Sequence, residues 1–209
     1  MYLPHHFAED DTAALRQLMG RHDFALLVTT QDGAPFATHL PLLVEPDTGP
    51  HGTILGHMSR ANPQWRGFAE GVEALAIFHG PHAYISPSWY ADEPAVPTWN
   101  YAAVHAYGTP TVIDDHNAAL AILERLVTVQ EAGRAEPWSL DNVPDDFRDT
   151  QMRGITAFEM PIIRLEGKFK MGQNKPAEDR LGAAAGLRAT GDPMAAEVAV
   201  LMEGGDESP

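Results

Sequence analysis

A hydroxyl, a guanidinium and a helix start follow one another at Ser59, Arg60 and Asn62. The apolar run before Ser59 is typical of a strand, and Asn62 followed by Pro63 is typical of a helix N-terminus. Helix N-termini leave backbone N–H groups unpaired and carry the positive end of the helix dipole. Arg60 adds a planar fork that matches phosphate geometry. The pattern indicates a phosphate-binding turn, and the alternative is a capped turn with a solvated arginine.

All three lysines of the chain, Lys168, Lys170 and Lys175, lie within eight consecutive residues. In an extended segment Lys168 and Lys170 share one side. Gln173 and Asn174 add amide donors and acceptors that suit the edge of a heterocycle. The segment is therefore a second candidate for holding an anion or a planar cofactor. A solvated basic loop before a helix is the alternative.

Aromatic side chains alternate with small ones between residues 99 and 107. In a strand, one side carries Trp99, Tyr101, Ala103, His105 and Tyr107. The other side carries Asn100, Ala102, Val104 and Ala106, which are mostly small and apolar. Such a face could line a flat ligand pocket or form a subunit interface, where tryptophan and tyrosine are enriched. Ordinary core packing is the third interpretation of these aromatic residues.

The ten histidines all lie between residues 5 and 116, yet their spacing fits no metal motif. The chain has neither a His-Glu-x-x-His helix nor a cysteine, so no metal site is predicted. It also lacks a Gly-x-Ser-x-Gly elbow and a P-loop, and we assign no catalytic residue. Any redox or group-transfer chemistry is expected to come from a bound cofactor.

Composition narrows the class of protein and the partners it can have. The 209 residues include 14 Lys+Arg and 29 Asp+Glu, so the formal net charge is −15. This charge disfavours direct DNA binding. The absence of cysteine fits a reducing compartment. We find no signal peptide and no apolar run of the roughly 20 residues that span a bilayer, which predicts a cytoplasmic protein.

Hydrophobic periodicity and turn residues predict a mainly β chain with flanking helices. Asp32-Gly33 is a strong hairpin signal between two of the strands. The pattern has no βαβ rhythm, so an antiparallel barrel with outer helices is expected. The predicted strands are 24–30, 35–44, 52–58, 74–79, 82–86, 99–113 with a break at 108–110, and 155–165. The predicted helices are 10–21, 63–70, 117–133, 145–152, 177–189 and 193–202.

Several segments occur in an order that resembles the PaiB family, known as FMN-binding negative transcriptional regulators. These segments are 1–7 (MYLPHHF), 57–65 (HMSRANPQW), 81–90 (PHAYISPSWY), 96–101 (VPTWNY) and 173–175 (QNK). The resemblance implies a split β-barrel of the pyridoxamine phosphate oxidase type, antiparallel and of Greek-key topology. It implies one domain over residues 1–203 with a C-terminal helical extension, followed by a flexible tail at 204–209. It further implies a homodimer that binds FMN at the subunit interface.

The resemblance also implies which residues contact FMN. The phosphate would lie at the turn Ser59–Asn62, and the ring beside the strand that carries Trp99 and Tyr101. The basic segment would close the pocket, although family members often have serine where this chain has Met171. The candidate cofactor-binding residues are Thr38, His39, His57, Met58, Ser59, Arg60, Asn62, Trp99, Tyr101, His105, Lys168, Lys170, Gln173 and Asn174.

The regulatory function that the resemblance implies has little support in the residues themselves. We find no helix-turn-helix with a basic recognition helix, and the helix at 117–133 carries Glu124, Arg125 and Glu131 without a basic stripe,. Any regulation is therefore expected to be indirect, through flavin redox chemistry or through a modified small molecule. The alternatives are a flavin-dependent oxidoreductase acting on a small molecule, a haem-binding split-barrel protein, and a dimeric barrel without a cofactor.

Overall fold

The computed structural model describes residues 1–91 and 94–204, so the predicted tail lies outside the described residues except for Gly204. The fold is mainly antiparallel β with flanking helices, as predicted. The strands are β1 (Ala8–Glu9), β2 (Phe24–Gln31), β3 (Ala34–Glu45), β4 (Thr53–Ser59), β5 (Ala74–Ile85), β6 (Thr98–Gly108), β7 (Thr111–Ile113) and β8 (Ile155–Lys170). The α-helices are α1 (Thr12–Arg21), α2 (His116–Glu131), α3 (Asp145–Met152), α4 (Ala177–Ala189) and α5 (Pro193–Glu203). Short 3₁₀ helices span His5–Phe7, Pro63–Glu70, Pro87–Trp89 and Leu140–Asn142.

The chain divides into two compact units. The first unit comprises residues 1–18, 79–104 and 166–209, and the second comprises 19–78 and 105–165. The candidate residues divide between them as well.

The second unit contains a run of antiparallel strands. Its strands pair in the order β5-β2-β3-β4-β8, and β7 also pairs with β8. The β2–β3 hairpin turns at Asp32 and Gly33, whose φ angles are 50° and 77°. Two positive φ values in succession match the two-residue turn that follows the twist of a hairpin. The Asp-Gly signal in the sequence is therefore confirmed.

Two apolar layers stabilise the second unit. One face of its strands buries large side chains completely, among them Leu27, Ile54, Phe78 and Phe158. The opposite face packs against α2 in a separate cluster. That cluster comprises Leu43, Leu55, Ala119, Ile122, Leu126, Met152 and Ala157. Because both faces of β4 are buried, the register of the strand is fixed, and with it the position of the turn at Ser59.

The first unit contains the β1–β8 pair and the helical hairpin α4–α5. Its core includes Ala184 and Leu187 of α4 and Val198 of α5, all at most 1% exposed. Trp89 packs directly against α4 at Gly186, where a Cβ atom would lie 2.4 Å from the indole ring. Only glycine allows an aromatic ring to approach the helix backbone so closely. Trp89 is therefore a packing residue of this unit.

Two strands differ from their predicted lengths. The predicted strands 74–79 and 82–86 form one strand, β5. Gly80 and Pro81 are buried in succession between His79 and His82, so the outward side shifts from odd to even positions, as in a bulge. The closing strand β8 continues to Lys170, beyond the predicted end at Leu165. The two lysines therefore lie on a strand rather than on a loop.

Candidate functional site

The turn Ser59–Asn62 joins β4 to the 3₁₀ helix that begins at Pro63, as predicted. Asn62 N–H donates to the Ser59 carbonyl at 2.9 Å, and Ala61 N–H donates to Ser59 Oγ at 3.3 Å. Asn62 Oδ1 caps the helix by accepting from Gln64 N–H at 3.0 Å. Pro63 has no N–H to offer. The backbone donors on which the phosphate interpretation relied are thus already used within the turn.

Arg60 is the part of this turn that keeps free donors. Its backbone N–H donates to Gly154 O at 2.8 Å, and its Nε–H donates to Arg153 O at 3.0 Å. Trp65 Nε1–H in turn donates to the Arg60 carbonyl at 3.0 Å. The terminal guanidinium nitrogens contact no acceptor in the described part of the chain, and the side chain is exposed. The guanidinium of Arg60 is therefore held in place through Nε, while its two terminal nitrogens remain free to donate.

Thr38 and Gln64 hold the turn against the sheet. Asn62 Nδ2 donates to Thr38 Oγ1 at 2.9 Å, which leaves the threonine hydroxyl hydrogen free to donate,. Gln64 is fully buried, and its Oε1 has no partner among the described residues. The acceptors of its Nε2 are Leu27 O at 3.0 Å, Thr29 Oγ1 at 3.1 Å and Phe36 O at 3.3 Å. These bonds make the turn rigid before any ligand arrives.

A small cavity of about 150 Å³ adjoins Arg60. Arg153 and His116 contribute its other basic groups, and Asp114 contributes a carboxylate. His116 lies 3.4 Å from Asp149, so its imidazole already has an acidic neighbour. The apolar lining residues are Ile113, Ala119, Met152, Ile155 and Ala157. The cavity is thus lined by basic and apolar residues together, and Arg153 Nη2 already donates to Thr150 Oγ1 at 2.9 Å.

The remaining candidates on β3 and β4 point in different directions. His39 lies on the side of β3 opposite Thr38 and stacks on Phe24, with 6.1 Å between ring centroids,. Met58 is 2% exposed and belongs to the buried face of β4. His57 lies on the other face, where its Nδ1 is buried without a partner among the described residues. Burial lowers the pKa of His57 below its ordinary value,.

His105 belongs to the second unit and lies on β6. Its ring centroid is 6.3 Å from that of Tyr107, in an edge-on arrangement. Trp99 and Tyr101 precede it on the same side of the strand but belong to the first unit. The predicted alternation of β6 is confirmed for Asn100, Ala102, Val104 and Ala106, which are all buried, but Ala103 on the opposite side is buried as well.

In the first unit, Lys168 is buried among aromatic rings. It is 7% exposed, and its Nζ donates to Tyr2 O at 3.0 Å. The ammonium lies 5.4 Å from the centroid of the Tyr2 ring and 5.2 Å from that of Tyr101. These distances allow cation–π attraction. Within the described residues, Lys168 has no carboxylate partner.

Lys170 is held by the start of β6. Its Nζ donates to Trp99 O at 2.6 Å and to Thr98 Oγ1. Burial, followed by the nearby charge of Lys168, lowers the pKa of Lys170. The two lysines therefore lie on the same side of the extended segment, as predicted, and their amines bind protein atoms.

The amide of Gln173 is used inside its own turn. Its Oε1 accepts from Met171 N–H at 2.8 Å, and its Nε2 donates to Phe169 O at 2.6 Å. Asn174 is exposed and keeps its amide free in the part of the chain that the structure describes. Of the two amides considered for a heterocycle edge, only Asn174 still has both its groups available.

Trp99 belongs to an exposed aromatic cluster of the first unit. It is 54% exposed, and Tyr84 approaches its ring edge-on with 6.1 Å between centroids. The His82 ring lies 6.3 Å from Trp99 and stacks on His79 at 4.5 Å. The cluster therefore places two exposed aromatic side chains, Trp99 and Tyr84, next to each other on the surface of this unit.

Among the described residues, no group of three or more His, Cys, Asp or Glu side chains is placed to hold a metal ion. No helix within 1–91 and 94–204 is long and apolar enough to cross a membrane.

Sequence reasoning missed Arg153 and Gln64. Arg153 lies 93 positions from Arg60, and no local pattern indicates that the Arg153 carbonyl accepts a hydrogen bond from Arg60 Nε. Gln64 had a signal, since it directly follows an Asn-Pro helix start, where its N–H is capped and its side chain turns toward the sheet. The sequence does not reveal that the side chain is fully buried.

Three comparisons with known proteins bear on the fold and the cofactor. The family described as "Putative FMN-binding domain" matches residues 1–164. The chain is 34% identical over 203 residues to the Bacillus subtilis protein named "Protease synthase and sporulation protein PAI 2", covering 97% of both chains. The FAD and haem binding protein of Mycobacterium smegmatis has a similar fold, with a TM-score of 0.61, 19% identity and coverage of 84% of this chain and 79% of that one. The flavocytochrome Anf3 of Azotobacter vinelandii also has a similar fold, with a TM-score of 0.61 and 16% identity, and the match covers 84% of this chain and 75% of that one.

Proposed function

The chain belongs to the FMN-binding domain family that includes PaiB, and from this premise we propose that Arg60 binds the phosphate of FMN. Its cofactor is FMN and its fold is that of the split-barrel flavin-binding proteins. The observation that carries the proposal is the guanidinium fork, unpartnered within the described residues, on a turn whose backbone donors are used.

The chemistry of the turn supports this assignment. A guanidinium fork can donate two parallel hydrogen bonds to a phosphate. Nε of Arg60 is already tied to Arg153 O, so little side-chain entropy is lost when the fork binds,. Ser59 and Thr38 each accept one hydrogen bond through a hydroxyl oxygen and retain an O–H to donate. A dianionic phosphate beside Arg60 would therefore have two donor groups on the turn, from Arg60 and Ser59, and a third on β3, from Thr38.

Bound FMN supplies one- and two-electron redox chemistry, while the protein binds and orients it. The residues described here explain binding and give no substrate for a turnover reaction. We therefore propose a flavin-binding protein whose redox partner or small-molecule substrate is separate from the phosphate turn.

The test compares FMN with riboflavin, which lacks the phosphate. Apoprotein is titrated with each flavin, and quenching of flavin fluorescence gives the Kd. Arg60→Ala is expected to weaken FMN binding by about 10- to 100-fold, because charge-assisted hydrogen bonds contribute about 1.5–3 kcal/mol. Riboflavin binding should change little.

Arg134→Ala is the matched control, since the side chain of this exposed arginine makes, among the described residues, only an i,i+3 ion pair with Glu131. It should leave both dissociation constants unchanged. Equal loss of FMN and riboflavin binding in Arg60→Ala would indicate a distorted pocket instead of a lost phosphate contact and would contradict the proposal.

We also propose that the protein is a homodimer with FMN near the subunit interface. The support is the exposed pair Trp99 and Tyr84, which are 54% and 47% exposed, because tryptophan and tyrosine are enriched at interfaces. Light scattering after size exclusion should give a dimer for the natural chain and a monomer for Trp99→Arg. A monomeric variant with unchanged FMN affinity would argue against an interfacial cofactor.

We propose that any negative regulation of transcription is indirect, through flavin redox chemistry, and that the protein is cytoplasmic. Helices α4 and α5 are joined by three residues, as in a helix-turn-helix, but α5 has no basic residue and carries Glu197 and Glu203. A recognition helix needs donors for base edges and phosphates. Electrophoretic mobility shift at physiological salt should show no specific promoter complex. A complex competed only by the specific sequence would overturn the indirect mechanism.

A further inference from the structure

We propose that a groove beside the phosphate turn binds a small planar aromatic carboxylate. The groove has a volume of about 420 Å³, within the range of about 300–1,000 Å³ that is usual for small-ligand sites. One wall is the 3₁₀ helix, and the other is the segment at the start of β7. The lining residues are Trp65, Arg66, Phe68, Ala69, Gly71, Thr109, Thr111 and Val112. All of them belong to the second unit.

The lining of the groove is apolar except for one cation and two hydroxyls. Phe68 and Val112 supply carbon surface, and Gly71 has no side chain to obstruct the opening. Planar aromatic rings suit such a surface because they bury much area at little entropic cost. Thr109 and Thr111 can each donate a hydrogen bond. These features indicate a flat ligand with a polar end.

Arg66 determines the charge of that ligand. It is the only ionisable residue that lines the groove. Within the described residues it has no carboxylate partner, although the chain carries 29 acidic residues. Its guanidinium lies over the Trp65 ring, 5.0 Å from the centroid. A positioned, unpaired arginine can bind a carboxylate through two parallel hydrogen bonds.

Trp65 gives the groove a fixed wall. Its Nε1–H donates to the Arg60 carbonyl, so the indole orientation is set by the turn and not by a ligand. The groove is therefore formed in advance, which reduces the cost of binding. Binding there requires no FMN, so this proposal can fail or hold independently of the proposed function.

The experiment titrates the full-length apoprotein with 2-naphthoate by calorimetry. The neutral analogue 2-naphthalenemethanol has the same ring without the charge. We expect saturable 1:1 binding of naphthoate per chain and at least about tenfold weaker binding of the alcohol, since the arginine contact is charge-assisted. Arg66→Ala should weaken naphthoate binding by about tenfold or more, and Arg134→Ala should not.

A second variant separates loss of the site from loss of the fold. Ala69→Leu adds side-chain volume to an exposed lining position, and it should weaken naphthoate and the alcohol together while FMN binding stays within about twofold. Equal naphthoate affinity in the natural chain and Arg66→Ala would overturn the proposal. So would an unsaturable titration, or a shift of the monomer–dimer balance in Arg66→Ala without naphthoate binding, which would identify the groove as a subunit contact.

Discussion

The Ser59–Asn62 turn and the basic segment Lys168–Lys175 both carry positive charge, but they differ in what their donors contact. In the turn the one cation, Arg60, is exposed and keeps a free fork. In the basic segment Lys168 is 7% exposed and binds a backbone carbonyl between two aromatic rings. Lys170 likewise binds Thr98 and Trp99 O.

The difference shows that a local excess of charge does not by itself locate an anion site. A cation whose donors bind the protein contributes to folding, whereas a cation with an anchored stem and free donors is available to a ligand. The comparison favours Arg60 as the phosphate contact. It assigns Lys168 and Lys170 first to joining the N-terminal segment, β6 and β8 within the first unit.

Charge reversal should separate the two regions most strongly. Lys168→Glu would bury a carboxylate against the Tyr2 carbonyl and two rings, and it is expected to lower the free energy of unfolding by about 3 kcal/mol or more. Arg60→Glu, on the exposed turn, should cost about 1 kcal/mol or less. Urea unfolding followed by circular dichroism measures both. Similar losses in the two variants would remove the distinction between a structural and an available cation.

The two glutamines provide the next contrast. Gln64→Leu removes the donor to one buried and two partly buried acceptors and is expected to lower the free energy of unfolding by about 2 kcal/mol,. Gln173→Leu, at an exposed position, should cost about 0.5 kcal/mol,. Denaturation midpoints of both variants decide the order, and a larger loss for Gln173→Leu would contradict the rigid-turn description.

Asn62 tests how much of the turn depends on its cap. Asn62→Ala removes both the cap to Gln64 N–H and the bond to Thr38, so a loss of about 1 kcal/mol is expected,. Asn62→Asp keeps a capping oxygen and should lose less. Thermal unfolding of the two variants side by side provides the measurement, and equal losses would mean that the cap is not the stabilising feature.

The smallest effects concern pH, and the two regions should respond at opposite ends of the scale. Burial holds the pKa of His57 below 6.5 in the folded chain, so the unfolded chain binds more protons just below that value. The free energy of unfolding therefore falls as the pH drops below 6.5. His57→Phe, which cannot bind a proton, should reduce this acid-side loss in urea unfolding at about pH 5.5 relative to about pH 7.5.

Lys170 should act on the alkaline side. Its folded-state pKa lies below 10.5, so the unfolded chain binds more protons in the interval beneath 10.5, and stability rises with pH there. Lys170→Met should flatten that rise in urea unfolding at about pH 8 and about pH 10. An unchanged slope would mean that Lys170 is not buried enough to disfavour its charge.

Elements set by neighbouring residues could be predicted from the sequence. The Asp32-Gly33 hairpin, the helix start at Asn62-Pro63 and the helix Asp145–Met152 all lie where turn chemistry and periodicity indicate. The ends of strands are harder to predict. Strand β8 pairs with β1 and continues to Lys170, although no local signal in the sequence marks that end.

The candidate site could be predicted only in part. The sequence identifies Arg60 and the lysines as cations, but their availability depends on acceptors far away in the chain, such as Arg153 O and Tyr2 O. Gln173 illustrates the same limit at short range. Its amide is used by the turn at Gly172, whose φ of 78° brings Phe169 and Met171 within reach.

The contact between Trp89 and Gly186 has a consequence for how relatives of this protein diverge. A β-carbon at position 186 would overlap the indole, so the two positions share one volume. We therefore expect the two positions to vary together among relatives, so that an alanine at 186 is accompanied by a smaller side chain at 89. When second-site variants that restore the stability of Gly186→Ala are selected, substitutions at Trp89 should appear before substitutions at other positions.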